Sequence, residues 1–118
     1  MKRLSVITVN LNNARGLRKT LQSVITQSWS DREIIVIDGG SSDESLAVIE
    51  EFRSHLSFVH SGKDAGVYDA QNKGIALASG EYCLFLNSGD YLASPDVLSA
   101  VFSRRRDEDI LYGNMIIY

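Results

Sequence analysis

The sequence predicts an α/β protein: a mostly parallel sheet with helices on both faces. Three observations predict it. Short apolar, β-branched runs alternate with segments of helical periodicity along the chain. The runs are unbroken rather than alternating, as in strands covered on both faces. Several of them end abruptly in amides, carboxylates and glycines, which suits strands that stop at one common sheet edge. The order reads β-α-β-α-β-α-β-α-β, with right-handed crossovers between parallel strands.

The first strand spans residues 4–9 and exits through Asn10-Leu11-Asn12-Asn13. Leu17, Leu21, Val24 and Ile25 then recur at helical spacing with Arg15, Arg18, Lys19 and Gln22 between them, which predicts an amphipathic helix over 14–27 with Trp29 packed over its end. Residues 33–37 form a second strand ending at Asp38. Ser41 stands three before Glu44, a capping-box spacing, and Asp43 is a second N-cap candidate. The helix over 43–55 is expected to bury Leu46, Ile49 and Phe52, and 56–60 to be a short third strand.

Residues 61–66 are a loop of small and charged residues. The helix over 67–79 carries Ala70, Gly74, Ala76 and Ala78; Gly74 costs about 1 kcal/mol of helix propensity relative to alanine. Such a glycine suggests close helix–sheet contact or a nearby ligand. Gly80 is expected to be a left-handed cap. The fourth strand, 81–86, is expected to be covered on both faces, with Cys83 as a small core residue.

Ser94-Pro95-Asp96 reads as N-cap, first helical residue and a dipole-favourable acid. Val97, Leu98, Val101 and Phe102 give the next helix its buried face. Arg104-Arg105-Arg106 suits that helix's C-terminal end, Asp107-Glu108-Asp109 is a turn, and 110–118 a further strand interrupted at Gly113-Asn114. The chain closes on an uncapped strand, Met115-Ile116-Ile117-Tyr118. The expectation is a fragment of a longer protein, truncated on the C-terminal side of its sheet. Such an edge recruits other chains, so self-association is expected.

The 118 residues suffice for one domain or part of one, and 44% are hydrophobic. A net charge of −3 with a single basic run argues against a nucleic-acid partner. One cysteine excludes an internal disulfide and a CxxC metal site, and fits a reducing cytoplasm. No apolar run is long enough to span a membrane, and residues 6–9 are too few for a signal peptide.

Polar groups gather where the strands end: Asn10 and Asn12, Asp38, and Asn87 with Asp90, joined by Asp64 on the loop after the third strand. A dinucleotide site needs G-x-G-x-x-G after the first strand, and a phosphate-cradling loop needs G-x-x-x-x-G-K-[ST]; neither is present. Asn10 and Asn12 are not the acids of a phosphoacceptor domain. What remains is a nucleotide bound with Mg²⁺ or Mn²⁺. One carboxylate such as Asp90 can hold such an ion when phosphate and water oxygens complete its shell. Asp38 could then accept from a base N–H or a ribose hydroxyl.

Several stretches together resemble the N-terminal half of inverting GT-A glycosyltransferases of family 2. They are Ser5-Val6-Ile7-Thr8-Val9-Asn10-Leu11-Asn12, Glu33 through Asp43, Asp64 through Ile75, Gly80-Glu81-Tyr82 and Phe85-Leu86-Asn87-Ser88-Gly89-Asp90. Each is weakly specific alone; in this order they cover nearly all of the chain. The look is closest to bacterial enzymes of exopolysaccharide synthesis, of the colanic acid or O-antigen type.

The resemblance implies a Rossmann-like GT-A fold in which residues 1–118 are the donor-binding part of one domain, with the acceptor half absent. It implies a nucleotide-diphosphate-sugar donor, a saccharide or lipid-linked acceptor, and transfer with inversion in surface polysaccharide synthesis. Val9, Asn10 and Leu11 would line the base, Asp38 would bind base or ribose, and Asp64 would lie beside the nucleotide. Asn87, Ser88 and Gly89 would complete the donor site, with Asp90 as ligand of Mn²⁺ or Mg²⁺. Asn87 and Gly89 stand at positions often acidic in the family, and Leu11 where an aromatic residue often stacks. The general base is expected beyond residue 118, and the location in the cytoplasm, free or peripheral at the inner face of the membrane. The fragment alone is expected to be inactive. Two alternatives stand beside this reading: a non-catalytic nucleotide-binding or assembly module, and a nucleotidyltransferase-like fold, which usually has a basic glycine-rich loop where this chain has residues 10–15.

Overall fold

In the computed structural model, which describes residues 3–102, four strands form one parallel sheet in the order β3-β2-β1-β4. They are β1 Leu4–Asn10, β2 Arg32–Asp38, β3 Phe58–Ser61 and β4 Tyr82–Phe85, joined by helices α1 Ala14–Ile25, α2 Ser45–Phe52 and α3 Val67–Leu77; α4 Val97–Val101 follows. The predicted α/β class with helices on both faces is the architecture observed. The triple arginine, the final strand and the exposed edge at Met115 to Tyr118 lie outside the described residues.

Every residue of β1 is buried, because it lies between two strands and two helical layers. Leu4 and Val6 with Ile34 and Val36 face α1, α2 and α4, meeting Leu17, Leu21, Val24, Val48, Ile49 and Leu98. The alternate residues Ile7, Val9, Ile35 and Ile37 face α3 and pack around Ala70. Full burial of each such side chain stabilises by about 1.5–3 kcal/mol, so the β1–β2 pair dominates the core. Trp29 stacks on Phe102 with ring centroids 4.6 Å apart, which ties the end of α1 to α4.

Four local expectations are corrected. Ser41 does not cap α2: its hydroxyl donates to Asp38 Oδ1 at 2.6 Å, and Asp43 Oδ1 accepts the Ser45 N–H instead. Leu46 is 46% exposed, because the face of α2 turned to the sheet is Ser45, Val48 and Ile49. Gly80 is not left-handed; α3 ends at Leu77, and Gly80 is needed because a Cβ would lie 2.6 Å from the Ser5 backbone nitrogen. Cys83 and Phe85 are exposed, since β4 is the edge strand among the described residues and α3 lies over β1 and β2.

Gly74 answers to close packing: a Cβ there would sit 2.4 Å from Ile7 Cγ2. Overpacking of about 1–3 kcal/mol outweighs the roughly 1 kcal/mol of helix propensity that alanine returns. Gly74→Ala is therefore expected to lower stability by about 1 kcal/mol in urea denaturation, against the usual gain for alanine in a helix.

Candidate donor site at the carboxyl ends of the strands

The parallel register places Asn10 beside Asp38 and Asp38 beside Ser61. The ladder continues beyond β4, with Leu86 N–H bonded to Ile7 O and Ser88 N–H to Val9 O. Ser88 thereby arrives next to Asn10, and its hydroxyl donates to Asn10 Oδ1 at 2.6 Å. Four strand ends thus meet along one edge, as parallel pairing with helical crossovers requires.

Asp38 is at the centre of this edge and fully buried. Its Oδ1 accepts from Asn10 Nδ2 at 2.9 Å and Ser41 Oγ at 2.6 Å. Its Oδ2 accepts from the backbone N–H groups of Gly40 and Ser41, at 3.1 and 2.9 Å, and from Ser61 Oγ at 3.0 Å. Burial pushes the carboxyl pKa up. The hydrogen bonds from the Ser41 hydroxyl and N–H, then Asn10 and Ser61, outweigh it and hold the group below its ordinary value. The charge is engaged by donors from three strand ends.

The loop after β1 is locked to the loop after β2. Asn12, at φ +50°, accepts from Ser42 N–H at 2.7 Å, and its own N–H donates to Ser41 Oγ at 2.9 Å. Asn13 caps α1 by accepting from Gly16 N–H and donates to Ser88 O at 3.2 Å. Between these anchors Leu11 is 58% exposed, an apolar side chain presented at the edge. Val9 is buried on the α3 side of the sheet.

Asp64 is half-buried. Its Oδ1 accepts from Gly66 N–H at 3.1 Å, and its Oδ2 lies 3.0 Å from where a Cβ on Gly39 would be. Gly39 thus leaves room for the carboxylate, and the sheet edge gains a second acid beside Asp38. Asp69 accepts from Ala65 N–H at 2.9 Å and pairs with Lys73 at 3.4 Å, so both serve the start of α3.

Asp90 stands apart from this cluster, at the exposed end of the turn 87–90. Its N–H donates to Asn87 O at 2.9 Å and its carbonyl accepts from Thr20 Oγ at 2.6 Å. Gly89 takes φ +102° in this turn, a conformation that side chains disfavour. The Asp90 carboxylate has no protein donor among the described residues, and the side-chain oxygen of Asn87 is buried without a partner. No three acidic, histidine or cysteine side chains among the described residues could cage an ion. An exposed carboxylate without a protein donor suits a hard divalent cation whose remaining ligands come from phosphate and water.

The structure brings together Asn10, Asp38 and Ser88, sets Asp64 over Gly39, and leaves Leu11 and Asp90 exposed on either side. Sequence reasoning missed Ser61 and Thr20 and gave Ser41 a different role. Serines and threonines at such positions carry no pattern of their own, and only the tertiary contacts reveal them.

A family model described as glycosyl transferase family 2 matches residues 5–117. A PGL/p-HBAD biosynthesis glycosyltransferase of Mycobacterium tuberculosis is 37% identical over 96% of this chain and 46% of its own length. The chain thus spans about half the length of that curated relative. S. aureus TarS, also solved in complex with UDP-GlcNAc, superposes with a TM-score of 0.77 at 26% identity, over 86% of this chain and 30% of that one. A mannosyltransferase of Pyrobaculum calidifontis, solved with GDP-Man and Mn²⁺, has the same fold, with a TM-score of 0.75 at 21% identity over 82% of this chain and 30% of that one.

Proposed function

Because this chain belongs to glycosyl transferase family 2, we propose that it forms the donor-binding part of an enzyme that moves a sugar from a nucleotide-diphosphate sugar to a saccharide or lipid-linked acceptor. Transfer proceeds with inversion, in bacterial surface polysaccharide synthesis. The observation that carries the reading is the free, exposed carboxylate of Asp90 on a turn pinned beside the polar strand ends.

Val9, Asn10 and Leu11 border the nucleoside on one side and Asp64 on the other. Asp38 acts on that pocket by holding its loops, since its own oxygens are engaged. Asn87, Ser88 and Gly89 shape the diphosphate end. Asp90 would hold Mn²⁺ or Mg²⁺ against the diphosphate, and the ion when bound neutralises charge on the leaving group. TarS with UDP-GlcNAc and the mannosyltransferase with GDP-Man and Mn²⁺ support this choice of ligand. In-line displacement needs a base to deprotonate the acceptor hydroxyl. We assign that base to the part of the longer protein that relatives carry beyond the region matched here.

The test is calorimetric titration with UDP and GDP, with and without Mn²⁺, on this chain and on the longer protein that carries it. The expected result is Mn²⁺-dependent binding of one nucleotide in preference to the other. Binding of neither to the longer protein, with the metal present, would overturn the reading.

A further inference from the structure

α1 carries Thr20 and Ser23 three residues apart on one face, and Gln27 follows two residues beyond its end. All three bond to the backbone that runs from the turn 87–90 into α4. Ser23 Oγ accepts from Leu92 N–H at 3.1 Å. Gln27 donates to Ser94 O at 2.7 Å and accepts from Leu98 N–H at 3.0 Å. Past Ser88 this segment has no ladder of its own, so its backbone groups need partners elsewhere. The polar face of α1, with Gln27 just past its end, supplies them and acts as a splint.

Thr20 is the end of the splint nearest the exposed acid, and it is fully buried. Its hydroxyl accepts from Gly89 N–H at 3.0 Å and stands 2.6 Å from Asp90 O, 3.0 Å from Gly16 O and 3.4 Å from Asn87 O. A hydroxyl has one hydrogen to give, and the shortest of these contacts is to Asp90. Together with the bond from Asp90 N–H to Asn87 O, it fixes the backbone of Asp90 on both sides.

We propose that Thr20 is the positioning residue for the Asp90 carboxylate: its hydroxyl sets the turn from which Asp90 meets a diphosphate-bound divalent cation. This rests on the donor-site reading above. The valine isostere keeps the packing and removes the hydroxyl; serine keeps the hydroxyl.

The experiment compares wild type, Thr20→Val, Thr20→Ser and Ser23→Ala in the longer protein that carries this chain. UDP and GDP affinity is measured with and without Mn²⁺, alongside amide exchange at Gly89. Thr20→Val is expected to reduce the Mn²⁺-dependent gain in affinity by about 10-fold, within the range that outer supports of metal ligands command. Metal-free affinity should be unchanged and the Gly89 amide should exchange faster. Thr20→Ser should restore most of the gain. Ser23→Ala should lower the melting temperature without touching the gain. A full Mn²⁺-dependent gain in Thr20→Val would overturn the role of Thr20 alone, as would a serine variant no better than valine. No gain in the wild type would overturn the donor-site reading and this inference with it.

Discussion

Replacing Asp38 with alanine is expected to lower the unfolding free energy by about 3–5 kcal/mol. Two or three part-buried donors lose their acceptor, at about 1–3 kcal/mol each. Asn10, Ser41 and Ser61 are those donors, and they belong to β1, the loop after β2, and β3. Marginally stable domains have about 5–15 kcal/mol in all, so the variant should be largely unfolded on mild heating. Asp38→Asn is not a neutral substitute: its NH₂ group would face donors that need an acceptor. Urea denaturation of the three proteins measures the effect, and a loss below about 1 kcal/mol for the alanine variant would contradict it. The pH dependence has a definite sign. The folded carboxyl is held below its ordinary value, so its contribution is fully present above the unfolded value near ~4. The contribution is lost as pH falls through the depressed folded value. The acid-induced loss of stability should therefore be shallower in Asp38→Asn than in wild type.

Asp90→Asn is expected to do the opposite. Stability should change by less than about 0.5 kcal/mol, as for other exposed substitutions. The Mn²⁺-dependent part of nucleotide affinity should fall by about 100-fold, the upper end of what losing even a supporting group costs a metal site. Loss of a charge with nearly the same shape isolates electrostatics from packing. Titration with and without Mn²⁺ reads the difference, and unchanged metal dependence would remove Asp90 from the role. The two aspartates thus separate by burial: Asp38 turns inward and holds strands, while Asp90 turns outward with no protein donor among the described residues.

Much of the fold was legible because its signals are local. Four apolar runs and the helical periods between them gave the strands and helices to within a few residues, and Gly74 announced a close contact that Ile7 supplies. The edge character of β4 was not legible. An unbroken apolar run reads alike in a central strand and in one left partly open, and only strand order separates them. The capping box at Ser41 and Glu44 failed for a related reason. A cap needs the serine oxygen to accept from a helix N–H, but the fold sets the Ser41 hydroxyl against the buried Asp38, to which it donates.

By itself the sequence determined the α/β class, the family resemblance that the family match bore out, and the polar residues at the strand ends. These depend on residue type and spacing along the chain. The tertiary structure decided which acid is engaged and which is free, and that Thr20 supports the turn bearing Asp90. Those outcomes depend on what stands opposite each side chain. Residues 10, 38, 61 and 88 become neighbours only when parallel register and helical crossovers bring their strand ends together.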